Sequence, residues 1–224
     1  MDAFLEPTNA ELTTIKQYLH SNNNIQEQQI AQLVKYTKIL LTENDKHNLI
    51  GKNTQSQIWS RHVLDSIQLV KYLPSLSDDF DIIDLGSGAG FPAIILAIAT
   101  GKKIVMIEKS PVKSQFLTKI CTELNLTYQI INQSINNQNI VNYLTKNCVI
   151  TSRAFKSINE IFELLKSEPA YNNIAKILLL KGSQWKKEIQ NTKPIFLQKW
   201  KHKVYQSILG EGIVIDFTKS DIVK

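Results

Sequence analysis

The chain is expected to adopt an α/β fold: a seven-stranded, mostly parallel sheet with a C-terminal antiparallel hairpin and an N-terminal helical cap. Three features predict it. From Phe80 onward, short apolar runs with strand character alternate with helix-patterned segments, as right-handed crossovers onto a parallel sheet covered on both faces require. The first of these runs leads into Gly86-Ser87-Gly88-Ala89-Gly90, three glycines at alternate positions ahead of a helix. The last two runs are joined by a short Gly-containing link, the mark of a hairpin.

The elements follow in order. Residues 9–20 place Leu12, Ile15 and Leu19 at helical spacing, and Asn22-Asn23-Asn24 ends that segment. Residues 25–41 repeat the pattern through Ile30, Leu33, Val34, Thr37 and Leu41, with Gln and Lys on the polar face. A turn-rich stretch, Asn44-Asp45-Lys46-His47-Asn48, precedes a third helix over 56–72. Its stripe is Ile58, Trp59, Val63, Leu64, Ile67 and Val70, and Pro74 stops it. Residues 1–75 are therefore the helical cap, and 76–224 a nucleotide-type domain forming one compact unit with it. Strands are expected at 82–85, 104–107, 128–131, 149–151 and 177–180, and helices at 91–100, 111–124, 135–144 and 158–165. The hairpin strands are 204–208 and 213–217, linked by Leu209-Gly210-Glu211-Gly212.

With 224 residues the chain suffices for one generous domain, or one with an added helical segment. No apolar run approaches the roughly 20 residues that span a bilayer. The start, Met1-Asp2-Ala3-Phe4-Leu5-Glu6, is acidic and lacks an apolar signal core, so a cytoplasmic location is expected. Cys121 and Cys148 have neither a C-x-x-C partner nor a His cluster beside them, so no metal is expected and both are taken as reduced thiols. The net charge of +6 permits an anionic partner. Lysine supplies nearly all of it, and the only arginines are Arg61 and Arg153. In such a chain an arginine marks a place where a planar, bidentate fork matters, or else a helix cap or acid pair. Lys199-Trp200-Lys201-His202-Lys203 interleaves base and aromatic as an RNA backbone would require, with Lys186, Lys187, Lys35 and Lys38 as extensions. The same lysines also suit ordinary solvated faces.

A glycine turn opening a helix brings backbone close to a nucleotide-like ligand. Here the spacing is G-x-G-x-G, and Phe91 stands where the dinucleotide fingerprint needs its third glycine. That argues against a pyrophosphate and a nicotinamide. Asp84, two residues before Gly86, adds negative charge and suits a cationic or hydroxyl-rich ligand. Glu108, at the end of the second strand and 22 residues after Gly86, is placed to accept from ribose hydroxyls. S-adenosylmethionine, an adenosine with a sulfonium and an amino-acid tail, meets these demands. In the turn after the third strand, Ile135 is expected to pack on adenine while Asn136 or its backbone reads the amino edge.

The fourth strand ends in Thr151-Ser152-Arg153-Ala154-Phe155. It has neither the Asp/Asn-Pro-Pro-aromatic sequence common in methylation of exocyclic amines nor a Pro-Cys nucleophile, since Cys148 precedes the strand and follows Asn147. An acceptor with a ready lone pair, such as guanine N7, needs only alignment. Arg153 either hydrogen-bonds an anionic or acceptor-rich group or satisfies strand-end carbonyls. On the third helix His62 and Asp65 are i, i+3 neighbours, fit for general-base work or for a structural hydrogen bond beside the pocket. If the cap folds over the glycine turn, Arg61, His62 and Asp65 face the site.

Asn48-Leu49-Ile50, Arg61-His62-x-x-Asp65-Ser66, the run from Asp84 to Pro92, Ser152-Arg153-Ala154-Phe155 and Leu180-Lys181-Gly182 occur in this order. Together they resemble the bacterial small-subunit ribosomal RNA methyltransferase G family, also called glucose-inhibited division protein B, over about residues 25–217. The resemblance implies a Rossmann-like class I methyltransferase fold. It implies S-adenosyl-L-methionine as methyl donor and N7 of a guanine in 16S ribosomal RNA of the small ribosomal subunit as acceptor. A monomer without metal or membrane attachment is expected. The residues expected to bind the cofactor are Gly86, Gly88, Phe91, Glu108, Ile135, Asn136 and Arg153; those expected to meet the substrate are Arg61, His62 and Asp65. No residue is assigned as acid or base. Ala93 stands where the family usually has glycine, and Ser134 and Asn136 where it usually has an arginine and an acid. The rival activities are methylation of a small molecule or protein, and non-catalytic, cofactor-sensing RNA binding.

Overall fold

In a computed structural model, which describes residues 5–19, 22–136, 138–144, 146–210 and 212–220, seven strands form one sheet. The strands are β1 (Asp81–Leu85), β2 (Ile104–Ile107), β3 (Tyr128–Ile131), β4 (Cys148–Arg153), β5 (Ile174–Lys181), β6 (Trp200–Gln206) and β7 (Ile213–Lys219). Their order is β3-β2-β1-β4-β5-β7-β6, with β1 to β5 parallel and β7 antiparallel to both its neighbours. The order reverses beside β1, where Ile83 lies opposite Val105 on one side and Ile150 on the other. A crevice opens at the carboxyl ends of strands at such a point. Residues 1–4 of the acidic start, His20 and Glu211 of the hairpin link lie outside the described residues.

Period-two alternation sorts the strand side chains into two cores. Ile82, Met106, Val149, Leu178 and Val214 join the N-terminal helices in one, while Ile83, Val105, Ile150, Ile177 and Ile215 pack in the other. The helices are α1 (Asn9–Lys16), α2 (Asn23–His47), α3 (Lys52–Gln55), α4 (Asp65–Ile67), α5 (Ala93–Thr100), α6 (Pro111–Glu123), α7 (Ile158–Leu164), α8 (Glu168–Asn173), α9 (Trp185–Gln190) and α10 (Pro194–Lys199). Helix α2 packs on α5 and α6. Its Leu33 and Leu40 are buried, each stabilising by about 1.5–3 kcal/mol. Gln29 Nε2 donates to the carbonyls of Ile98 and Ala99 at 2.9 and 3.0 Å, satisfying the otherwise orphaned end of α5.

Several expectations need correction. Within the stretch 44–48, residues 44–47 are the last turn of α2, because buried Asn44 serves as an internal acceptor, taking the Ile50 N–H at 2.7 Å. Asn48, at φ 46°, ends the helix instead. The third helix is broken: Ile58–Leu64 winds as a π-helix, α4 follows, and Gln68–Tyr72 tightens to 3-10. No α-helix forms among the described residues of 135–144, where only Ile140–Asn142 makes a 3-10 turn. Asn136 and Asn139 bond their side chains to local backbone there, which competes with a helix. Cys148 is the first residue of β4 rather than a residue ahead of it. The basic run after Lys199 opens β6, an edge strand, where exposed lysines also discourage pairing with other sheets.

Candidate functional site

The glycine turn leaves β1 at the switch point. Gly86 sits at φ +71°, and a Cβ there would lie 2.3 Å from Cδ2 of Phe155. The crowding neighbour is thus the protein's own ring. At Gly90, φ is +104° and a Cβ would lie 2.4 Å from Ile94 Cδ1 and 3.2 Å from Leu117 Cδ2. Gly90 therefore permits the close packing of the turn on α5 and α6. With that task done one position early, position 91 accommodates an aromatic. The Phe91 ring lies 5.3 Å from Tyr36, 4.8 Å from His62 and 5.8 Å from the Arg153 guanidinium carbon. Tyr36 also donates its hydroxyl to the Ala89 carbonyl at 2.7 Å, tying α2 to the turn.

A cleft of about 560 Å³ opens over this turn. Gly86 and Gly88 form its floor, Phe91, Ile107 and Ile135 its apolar flank, and Glu108, Gln133 and Ser134 its polar edge. Glu108 holds the site's shape: Oε2 accepts from Gly88 N–H at 2.9 Å and Oε1 from Ser110 N–H at 2.8 Å. Each oxygen retains acceptor capacity for a ligand. Leu49, Ile50, Phe155 and Lys156 also line it, as do His62 and Arg153. Of these, Leu49-Ile50 and Phe155 lay within the sequence motifs without an assigned role.

Two expectations about the cleft are corrected. Asp84 is wholly buried and does not line it. Its Oδ1 accepts from Thr151 Oγ1 at 2.8 Å, fastening β1 to β4, while Oδ2 has no partner. Burial pushes this carboxyl up to about 7, against the lowering effect of the nearby Ser87 hydroxyl, which itself donates to the Asp84 backbone carbonyl, and of the Thr151 hydrogen bond, with Glu108 adding to the rise. Asn136 is exposed and lies outside the lining. Its N–H donates to Asn139 Oδ1 at 2.8 Å, and its own Oδ1 accepts from Gln138 and Asn139 N–H at 2.9 and 3.0 Å. Gln133 and Ser134 face the cleft in its place.

The expected pairing of His62 with Asp65 is absent. The π-helical turn sends His62 toward Thr54, with Nε2 3.0 Å from Thr54 Oγ1, and over Phe91; its Nδ1 is buried without a partner. Burial, then Arg153 and Arg61, push His62 down to about 3, so the imidazole is neutral near pH 7. Asp65 faces away from it. Its Oδ1 accepts from Gln68 Nε2 and Ser207 Oγ, both at 2.9 Å, and Oδ2 lies 3.8 Å from Arg153 Nε.

Asp65 and Arg61 line a second cavity, of about 590 Å³, together with Arg153, Lys181, Ser207 and Leu209. The segment Arg153-Ala154-Phe155-Lys156 lines both cavities. Ala154 is held there at φ +51°, a left-handed conformation costing a non-glycine residue about 1–2 kcal/mol. Arg153 is mostly buried, and its Nη1 has no partner. Burial lowers its pKa and Asp65 partly offsets that. Among the expected basic extensions, Lys35 is already engaged, donating to the Glu123 carbonyl at 2.9 Å. Among the described residues no helix is long and apolar enough to cross a membrane, and no three His, Cys, Asp or Glu side chains gather to hold a metal ion.

Residues 29–212 match the family described as rRNA small subunit methyltransferase G. The chain is 37% identical over 183 residues to the ribosomal RNA small subunit methyltransferase G of Rickettsia felis, covering 81% of this chain and 88% of that protein. It is 31% identical over 201 residues to the protein of the same name from Orientia tsutsugamushi, covering 90% and 96%. Among solved structures, M. capricolum TrmK in complex with S-adenosyl-homocysteine superposes with a TM-score of 0.52 at 15% identity, over 71% of this chain and 70% of that one. MtNAS in complex with MTA and tNA superposes with a TM-score of 0.54 at 12% identity, over 95% and 76%. At these identities the likeness speaks for the fold alone, the Rossmann-like α/β sheet described above.

Proposed function

The chain belongs to the rRNA small subunit methyltransferase G family, and from that premise we propose that it methylates N7 of a guanine in 16S ribosomal RNA, acting as a cytoplasmic monomer without a metal. It is an S-adenosylmethionine-dependent methyltransferase of small-subunit ribosomal RNA. The acceptor atom and the residue roles go beyond family membership. The observation that carries them is the meeting of two cavities at one four-residue wall.

The cleft over the glycine turn fits the cofactor. Its volume is in the range of small-molecule sites, ~300–1,000 Å³, and its lining is mixed as an adenosine with a charged tail requires. Gly86 and Gly88 leave the backbone open at the floor, and Glu108 keeps acceptor capacity for ribose hydroxyls. Ile135 offers an apolar face for adenine, with Gln133 and Ser134 at its edge. S-adenosylmethionine, when bound, supplies an electrophilic methyl group on a sulfonium. His62 suits a cationic neighbour because it stays neutral, and Phe91 with Arg153 closes the side toward the second cavity.

The acceptor reading rests on what the residues can supply. Both thiols are buried and pushed up to about 12 by that burial, so neither provides the thiolate that methylation of a pyrimidine carbon needs. The end of β4 is Thr151-Ser152-Arg153-Ala154 in place of an Asp/Asn-Pro-Pro-aromatic sequence. Guanine N7 carries its lone pair already and asks only for alignment with the methyl–sulfur axis. Incubating the purified protein with methyl-labelled S-adenosylmethionine and small subunits from a strain lacking the gene tests this reading. Label is expected in the RNA and in no ribosomal protein; label confined to protein, or cofactor binding without transfer, would overturn it.

A further inference from the structure

We propose that the second cavity receives the acceptor guanine, flipped from its RNA, and that Asp65 reads its Watson–Crick edge. The inference rests on the reading of guanine N7 as the acceptor. The cavity is about as large as the cofactor cleft and shares with it the lining segment from Arg153 to Lys156. Enzymes that act on a base inside a duplex extrude it from its stack into a pocket, and those that act on single strands also seat the base in one.

The charges lining the cavity differ in how fully they are engaged. Lys181 and Glu188 satisfy each other at 2.8 Å. Asp65 Oδ2 and Arg153 Nε approach only to 3.8 Å, beyond hydrogen-bond range. Neither group therefore saturates the other, and Arg153 also keeps Nη1 without a partner. A carboxylate beside a guanidinium complements one nucleobase edge. Along guanine the order is N2–H, N1–H, O6 and then N7: two donors for Asp65, an acceptor for Arg153, and a lone pair left free to face the cofactor cleft. Adenine presents an acceptor at N1, which a carboxylate repels. The Asp65 carboxylate, which lines the cavity, is held for this task because Gln68 Nε2 and Ser207 Oγ both donate to Oδ1 at 2.9 Å, so that both donors of the base fall to Oδ2.

The test pairs a change in the base with a change in the protein. Small subunits are reconstituted with guanine or with inosine at the methylated position; inosine keeps N1–H, O6 and N7 but lacks the exocyclic amine. With the wild-type protein, inosine is expected to lower kcat/KM by about tenfold or more, as loss of a hydrogen bond to a charged group does. With Asp65→Asn, transfer to guanine is expected to fall by a similar factor and the inosine penalty to shrink toward none. Affinity for S-adenosylmethionine, read by calorimetry, is expected to stay unchanged. Asp65→Glu, which keeps the charge but displaces it, provides the same comparison if Asp65→Asn does not fold. An inosine penalty equal in wild type and variant, or absent in wild type, would overturn the proposal while leaving N7 methylation standing. Loss of cofactor affinity in Asp65→Asn would also overturn it, by placing Asp65 behind Arg153 in the cofactor site. Failure of the wild-type protein to methylate N7 of the guanine particle would refute the parent reading as well.

Discussion

Replacing Gly86 with alanine should act through Phe155. The new methyl group meets two penalties. A φ of +71° costs an L-residue about 1–2 kcal/mol. The Cβ also falls 2.3 Å from Phe155 Cδ2 and 2.8 Å from Cγ, an overlap that must move the ring, at about 1–3 kcal/mol for overpacking. The expected loss of stability is therefore about 2–5 kcal/mol. Phe155 lines both cavities, so a displaced ring enters one of them, and cofactor affinity should fall at least about tenfold, equivalent to 1.4 kcal/mol. Urea unfolding of Gly86→Ala, Phe155→Ala and the double variant separates the terms, with calorimetry reading cofactor affinity in each. The overlap share should appear as a favourable coupling of about 1–3 kcal/mol, leaving the backbone strain in the double variant. Strictly additive effects would refute the assignment of Phe155 as the obstacle.

Three further outcomes are expected. Asp84, raised to about 7, binds its proton more tightly folded than unfolded, so it adds stability in acid that is lost as pH rises from about 4 to 7. His62, lowered to about 3, does the reverse, adding stability that is lost as pH falls below about 6.5. Each contributes up to about 1.4 kcal/mol per pH unit with opposite sign. In urea unfolding between pH 4.5 and 6.5, Asp84→Asn should therefore tilt the stability profile upward with pH and His62→Asn downward. Profiles parallel to wild type would contradict both assignments. Tyr36→Phe removes the donor to the Ala89 carbonyl and should lower stability by about 1–3 kcal/mol, with weaker cofactor binding. Unchanged unfolding and calorimetry curves would show that this contact does not hold the turn. Cys121 and Cys148, both buried and pushed up to about 12, should resist a thiol reagent in the native protein and react in denaturant; rapid native labelling would contradict the buried, protonated state.

The strands were legible because both faces of the sheet are covered, so β2, the Ile82-Ile83 pair of β1 and Ile177–Leu180 of β5 are apolar runs bounded by polar residues. The glycine turn was legible for its spacing, and Gly90 explains why the spacing ends one position early. Residues 44–48 and 135–144 misled for one reason. Asparagine side chains either join a helix as buried acceptors, as Asn44 does, or replace its backbone bonds, as Asn136 and Asn139 do. Only the tertiary surroundings decide which. A spacing of three predicted that His62 and Asp65 share a face, but the π-helical turn separates them into different cavities. The second cavity itself was hidden from the sequence. Its lining comes from residues near 61–65, 153–157, 180–188 and 207–212, which only the sheet order and the inserted β7 bring together.

Reduction with borohydride followed by aniline cleaves RNA at N7-methylguanine, and it addresses the acceptor atom most directly. Small subunits from a strain lacking the gene, treated with the purified protein and S-adenosylmethionine, should acquire one new cleavage site in 16S ribosomal RNA that untreated subunits lack. Transfer of labelled methyl groups to that RNA without a new cleavage site would contradict N7 as the acceptor.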